Sequence, residues 1–299
     1  MGGCGGDVGR PQPCPPALAN QAPRRAPRSL DCILLPQTCG RTRPAVGPTA
    51  WVSSARRLRQ EGKLVIPIED TPGERRRTFP VVTLLLIAAN VVVFAYQISL
   101  GPDVVGFIRS LGAVPAEIVS GQDLPPPSPT PVYLTLLTSM FIHAGFLHLG
   151  GNMLFLWIFG DNVEDAFGHP RFLGLYLFCG IFAGLVHIAM NPESQVPAIG
   201  ASGAIAGVLA AYLLLFPHAT VRTLLFVGPF VTITRVSAIF MIGVWILFQL
   251  VSGLLALGVG NAEDSGVAFW AHIGGFVAGL MVVGAWRAID RLRSGEPLA

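Results

Sequence analysis

Charge is what this sequence has least of. Only 12% of its 299 residues are Asp, Glu, Lys or Arg, Lys63 is the sole lysine, and 52% are hydrophobic, with a mean hydropathy of +0.60. Those figures exclude an ordinary soluble domain and identify a polytopic membrane protein. The small net charge of +3 hides an uneven distribution, since 12 of the 19 arginines lie at or before Arg77; no nucleic-acid partner is expected. Cysteine is scarce as well. Cys4, Cys14, Cys32 and Cys39 fall in the polar N-terminal region and Cys179 stands alone in an apolar one. No CxxC or Cys/His metal spacing occurs, which argues against a disulfide framework or a zinc site. No HExxH stands in an apolar segment, and histidines alone at the spacing of His143, His148 and His272 are a weak metal signal, so no metal or cofactor is expected.

What is there begins with a leader. Residues 1–64 are rich in Gly, Pro, Arg and Ala without sustained periodicity, too little to bury for the entropy of ordering. They lack the apolar core of a secretory signal. They are expected to be disordered, and the natural protein is expected to begin at Val65, decoded from an alternative start codon. The Arg-rich, acid-poor stretch Arg24 to Arg59 leaves an organellar transit peptide as the alternative.

From Pro80 onward the hydropathy is regular. Six segments approach the ~20 apolar residues that a bilayer core requires: about 80–98, 133–160, 170–190, 201–216, 234–257 and 267–287. The architecture expected is all-α, a six-span bundle over 65–293 with a short tail, 294–299. The segment beginning at Ser202 is the shortest, and a helix starting below the outer surface would put its first residues at the floor of a water-filled cavity. Basic residues give the orientation. Arg75 to Arg77, Arg171, Arg222, Arg235, Arg287, Arg291 and Arg293 all fall on one side of a six-span chain, which makes both termini cytoplasmic. The other side carries Arg109 against Asp103, Glu117, Asp123, Glu193, Glu263 and Asp264. Ser202 and His272 therefore enter the membrane from the same, non-cytoplasmic side. The connection from Leu100 to Pro131 is partly amphipathic and suits the membrane interface, or else a solvated linker. Arg222 to Arg235, with Pro229 in its middle, suits a short interfacial helix.

The chemistry gathers on three apolar segments. Gly200-Ala201-Ser202-Gly203-Ala204-Ile205-Ala206-Gly207 holds one hydroxyl among small residues, which alone would serve only for close helix packing. Ala271-His272-Ile273-Gly274-Gly275 holds one imidazole. A serine becomes a nucleophile when a base takes its proton, and histidine titrates in the range to do so and to protonate the leaving amine. Gly203, Ala206 and Gly207 facing Gly274, Gly275 and Gly279 would allow the backbones to approach closely. His148 and Asn152 share a helix face at i, i+4 and suit donation to an oxyanion, with the Ser202 backbone N–H as a third donor; Asn152 suits equally a link between helices. With no acidic residue in the spans, the arrangement is a Ser-His dyad. Glu164 and Gly168, in Gly160-Asp161-Asn162-Val163-Glu164-Asp165-Ala166-Phe167-Gly168, read as structural: a carboxylate bonding loop amides and a glycine ending a helix.

His148-Leu149-Gly150-Gly151-Asn152, Gly200-Ala201-Ser202-Gly203 and Ala271-His272-Ile273-Gly274-Gly275, in this order on six spans, closely resemble the rhomboid family of intramembrane serine proteases. Val65 to Asp70, Phe79-Pro80 and Leu111-Gly112-Ala113-Val114-Pro115 resemble bacterial members in particular. The resemblance implies an endopeptidase of the bacterial inner membrane that cuts single-span membrane proteins within the bilayer. It makes Ser202 the nucleophile, His272 the base, and Asn152 and His148 the oxyanion partners. It also implies an outer-leaflet loop after span one, a structural motif at Glu164 and Gly168, and a fifth span that helps gate substrate entry. Some members carry an aromatic four residues after the serine that stacks on the histidine; here that residue is Ala206. The alternative function is a non-catalytic relative that binds membrane clients; a transporter would call for inverted repeats, and none is evident.

Overall fold

A computed structural model describes residues 65–71, 78–128, 131–227, 230–259 and 268–294. The leader 1–64, Arg75 to Arg77, Pro229, Glu263, Asp264 and the tail beyond Ser294 lie outside them.

In chain order the elements are β1 (Val65–Thr71), α1 (Val81–Ser99), α2 (Val104–Leu111), α3 (Pro115–Ser120), α4 (Val132–Phe141), α5 (Phe146–Phe167), α6 (His169–Met190), α7 (Ser202–Leu215), β2 (Thr220–Val227), β3 (Phe230–Ser237), α8 (Ala238–Val259) and α9 (Phe269–Ser294). Among the described residues α1, α6, α8 and α9 are long and apolar enough to cross a membrane. A fifth span is added if α4 and α5, which meet at 82°, are taken together.

One expected span thus differs from its sequence reading. The segment expected to run unbroken over 133–160 bends at residues 142–145, where Ile142 and Gly145 hold the chain extended and Gln97 of α1 satisfies the peptide groups of buried His143. Gln97 Nε2 donates to the His143 carbonyl at 2.6 Å, and the His143 N–H donates to Gln97 Oε1 at 3.2 Å. A π-helical stretch, Leu156–Gly160, follows within α5. The segment opening at Ser202 is a 14-residue helix, about 21 Å long at 1.5 Å per residue against a hydrocarbon core of about 30 Å. It is nonetheless the most enclosed element: every residue from Gly203 to Tyr212 is buried, against α6 on one side and α9 on the other.

The all-α expectation is corrected by a three-stranded antiparallel sheet in the order β1-β2-β3. Arg222 to Arg235, expected as an interfacial helix, is instead most of a hairpin pairing Arg222 with Arg235 and Thr223 with Thr234. Its residues explain this: Thr220-Val221-Arg222-Thr223 and Val231-Thr232-Ile233-Thr234 are nearly all β-branched, the side chains that fit a pleated surface best. The sheet is fastened to the helices through buried Asp70 of β1, which accepts from the Tyr212 hydroxyl at 2.6 Å and from Asn162 Nδ2 at 2.8 Å.

Glu164 is structural, but its partners are helical amides, where the sequence suggested loop amides. It accepts from the Val82 N–H at 2.8 Å, the Thr83 N–H at 2.7 Å and the Thr83 hydroxyl at 2.7 Å. These are the otherwise unsatisfied donors of the first turn of α1, where negative charge also meets the positive end of the helix dipole. Gly168, at φ 77°, ends α5. The connection from Leu100 to Pro131 carries α2 and α3, and an antiparallel bridge, Ala113 with Ala198, ties it to the loop preceding Ser202.

Candidate active site

Ser202 is the first residue of α7, placed there by the loop that ends at Gly200. Gly200 has φ +118°, a conformation that suits glycine, and its N–H donates to the Ser139 carbonyl at 2.8 Å. The His148 ring packs directly over it: a Cβ on Gly200 would lie 2.8 Å from the His148 Cε1 and 2.9 Å from Nε2. Both the backbone angle and the ring leave room for glycine alone at this position.

His272 lies one turn into α9. The α7 and α9 backbones touch, since a Cβ on Gly275 would overlap the Gly203 carbonyl and one on Gly279 would overlap the Gly207 carbonyl. Gly274, expected in the same contact, faces Val186 of α6. This close approach brings the Ser202 Oγ to 2.7 Å from His272 Nε2. Both residues are half-buried. The serine hydroxyl can therefore pass its proton to the imidazole without rearrangement.

His148 Nδ1 accepts the Ala144 N–H at 3.3 Å. In the neutral ring that leaves the proton on Nε2, the atom lying over Gly200, two residues before Ser202. Asn152 follows one turn later on α5. It is 7% exposed, and its Nδ2 has no hydrogen-bond partner among the described residues. An orphaned buried donor is costly, and an oxyanion would satisfy it. Beside them, buried His143 meets the His148 ring edge to face at 5.1 Å. Among the described residues no three His, Cys, Asp or Glu side chains gather as metal ligands would.

The sequence reading missed two residues, both on α8. Gln249 Oε1 lies 2.8 Å from His272 Nδ1, and the Trp245 ring packs on the imidazole at 5.6 Å between centroids with a 38° tilt. A signal existed: in the run Ala238 to Val251 an amide stands alone among apolar side chains, one turn after an indole.

Comparison with known proteins agrees with the motifs. Residues 131–287, just over half of the chain, match the family model described as the Rhomboid domain. The chain is 33% identical to Rhomboid protein 1, mitochondrial, of Saccharomyces cerevisiae over half of its own length and 40% of that protein. It is 29% identical to Rhomboid protease GluP of Bacillus subtilis over 69% of its own length and 35% of GluP. It is 27% identical to Rhomboid protease AarA of Providencia stuartii, over 67% of this chain and 70% of AarA. The first two relatives thus extend well beyond the part this chain matches.

Proposed function

The chain belongs to the rhomboid family, which includes serine intramembrane proteases, and on that premise we propose that this integral membrane protein is a serine endopeptidase working through Ser202 and His272. The observation that carries the reading is the 2.7 Å contact between Ser202 Oγ and His272 Nε2.

In this reading Ser202 Oγ attacks a substrate carbonyl while Nε2 takes its proton. The oxyanion accepts from the Asn152 amide, from His148 Nε2–H and from the Ser202 backbone N–H at the open first turn of α7. His272 then protonates the departing amine, leaving an acyl-enzyme that water hydrolyses by the same steps in reverse order. Substrates are single-span membrane proteins, cut where the helix unwinds, since an intact helix hides its carbonyls from a nucleophile.

The catalytic domain covers 65–293 and crosses the membrane six times, with the α4–α5 pair and the short α7 as its second and fourth spans. Arg171, Arg222, Arg235, Arg287, Arg291 and Arg293 stand at the sheet end, opposite Ser202, and support cytoplasmic termini. The site then opens to the far side of the bilayer, which we take to be a bacterial inner membrane.

A fluorophosphonate probe tests this without a known substrate. Purified protein should be labelled at Ser202, and Ser202→Ala and His272→Ala should abolish both labelling and cleavage of a model transmembrane substrate. An unlabelled wild type, or cleavage by Ser202→Ala, would sink the assignment.

A further inference from the structure

His272 has three contacts that bear on its chemistry, and only one of them, to Ser202, is explained by the dyad. To accept a proton at Nε2, the neutral imidazole must carry its own proton on Nδ1. Without a partner on Nδ1 the ring can hold the proton on either nitrogen, and one of the two forms is inert as a base. Something must also stop the ring rotating out of line with Ser202. Position 206 is Ala, so α7 offers no aromatic face at that turn.

Both needs are met from α8. Gln249 presents Oε1, an acceptor, to Nδ1 at 2.8 Å, which selects the Nδ1–H form. Trp245, one turn earlier on the same face, packs its ring against the imidazole at 5.6 Å with a 38° tilt. Gln249 is only 5% exposed in a helix that is otherwise almost wholly apolar, and burying an amide there costs stability unless its polar atoms are bonded. The residues around it on α8, including Val244, Leu247, Phe248 and Val251, point away from the bundle and are exposed. The amide lies on the inward face of α8, with buried Ala238 and Ile242, and it meets the His272 ring.

We infer that Gln249 and Trp245 are the positioning residues of His272, Gln249 fixing the imidazole in the tautomer that can accept the serine proton and Trp245 holding the plane of the ring. The inference rests on the serine protease reading for its catalytic meaning, but the hydrogen bond to Nδ1 is measurable by itself. The acceptor is neutral, where a Ser-His-Asp arrangement uses a carboxylate. Gln249 therefore sets the tautomer and orientation without placing a charge in the membrane.

The experiment uses the full chain in detergent with Gln249→Leu, Gln249→Glu, Trp245→Phe and Trp245→Ala. The readouts are kcat and KM on a model transmembrane substrate, fluorophosphonate labelling against pH, and NMR of isotope-labelled imidazole to read the His272 tautomer. Gln249→Leu should lower kcat about 100-fold, the lower end of what general-base catalysis contributes, with KM within about twofold, and should lose the Nδ1–H signal. Gln249→Glu keeps an acceptor at Nδ1 and should recover most of the rate at high pH. Its negative charge favours the protonated ring, so the ascending limb of the pH profile should move up by about one unit. A structural role alone would not move that limb, and this arm still decides if Gln249→Leu fails to fold. Trp245→Phe should keep activity that Trp245→Ala loses about tenfold, as expected when a positioning contact, and not a reacting group, is removed. Wild-type kcat in Gln249→Leu, an unmoved limb in Gln249→Glu, or an unchanged tautomer would overturn the inference. A wild type that shows the Nδ1–H tautomer but takes no probe would retain the positioning role and overturn the protease reading instead.

Discussion

A nucleophile and its base work as a unit, so removing either Ser202 or His272 should abolish cleavage, and the double alanine variant should be no worse than either single one in a turnover assay. Asn152 stands differently, as one donor of several. Asn152→Ala should leave turnover reduced by about 100-fold with unchanged thermal stability; parallel losses of both would return Asn152 to a helix-linking role. That Ser202 and His272 meet was legible in the sequence, because a hydroxyl and an imidazole in apolar segments carry a desolvation cost that demands a reason. What the sequence could not tell is which side chain faces which. The sequence reading assigned no role to Gln249 or to Gln97. The first is bonded to the base and the second clasps the backbone at the bend before α5. Both pairings depend on helix rotation, which the near-uniform hydrophobicity of α1 and α8 leaves unspecified.

At the scale of elements, the contact between α7 and α9 was expected from their small residues and is present, while the detail that Gly274 turns to α6 follows from 3.6-residue periodicity that a motif does not express. A methyl group at Gly275 would meet the Gly203 carbonyl and push the two helices apart. Gly275→Ala should therefore lower stability by about 1 to 3 kcal/mol and separate Ser202 from His272, whereas Gly284→Ala on the same helix meets nothing within 4 Å. Thermal melts and cleavage rates of the two variants side by side are the check. The hairpin was missed because Pro229 and the flanking arginines suggested an interfacial helix, although the β-branched run already argued for strands. One buried carboxylate, Asp70, contributes to the sheet's hold on the helices, beside the packing of Val221 in the core. Asp70→Ala would strand the Tyr212 hydroxyl, while the Asn162 amide keeps Asp161 Oδ1 and the Ile158 carbonyl, and should cost about 1 to 3 kcal/mol. Glu69→Ala, which removes the exposed pair with Arg222, should cost under about 1 kcal/mol. Equal effects of the two in a denaturation series would mean that β1 is held by its backbone pairing alone.

For the whole molecule, sidedness follows from charge counting and can be tested apart from family membership. Single cysteines at Asn191 and Ser265 should react with an impermeant maleimide on intact cells, and cysteines at His218 and Ser294 should not, in a background without native cysteines; the reverse pattern would turn the protein over and give the site a different set of substrates. The mostly helical, membrane-spanning plan was legible because the length of an apolar run is a one-dimensional signal. The bend before α5 and the third strand of the sheet were not, since Gln97 pairs with His143 and β1 pairs with β2, all far apart in sequence. That sheet also has a mechanical consequence. β3 runs straight into α8, and the Ala238 N–H donates to the Ala219 carbonyl beside the sheet at 2.9 Å, so the root of α8 is clamped while its flank lies bare. Gln249 sits about 16 Å up this lever arm, at 1.5 Å per residue. A swing of about 10° about the clamp would carry its amide nearly 3 Å, more than the tolerance of a hydrogen bond. In the positioning role inferred for Gln249, the stiffness of a small sheet therefore bears on how well the His272 imidazole is held in line with Ser202.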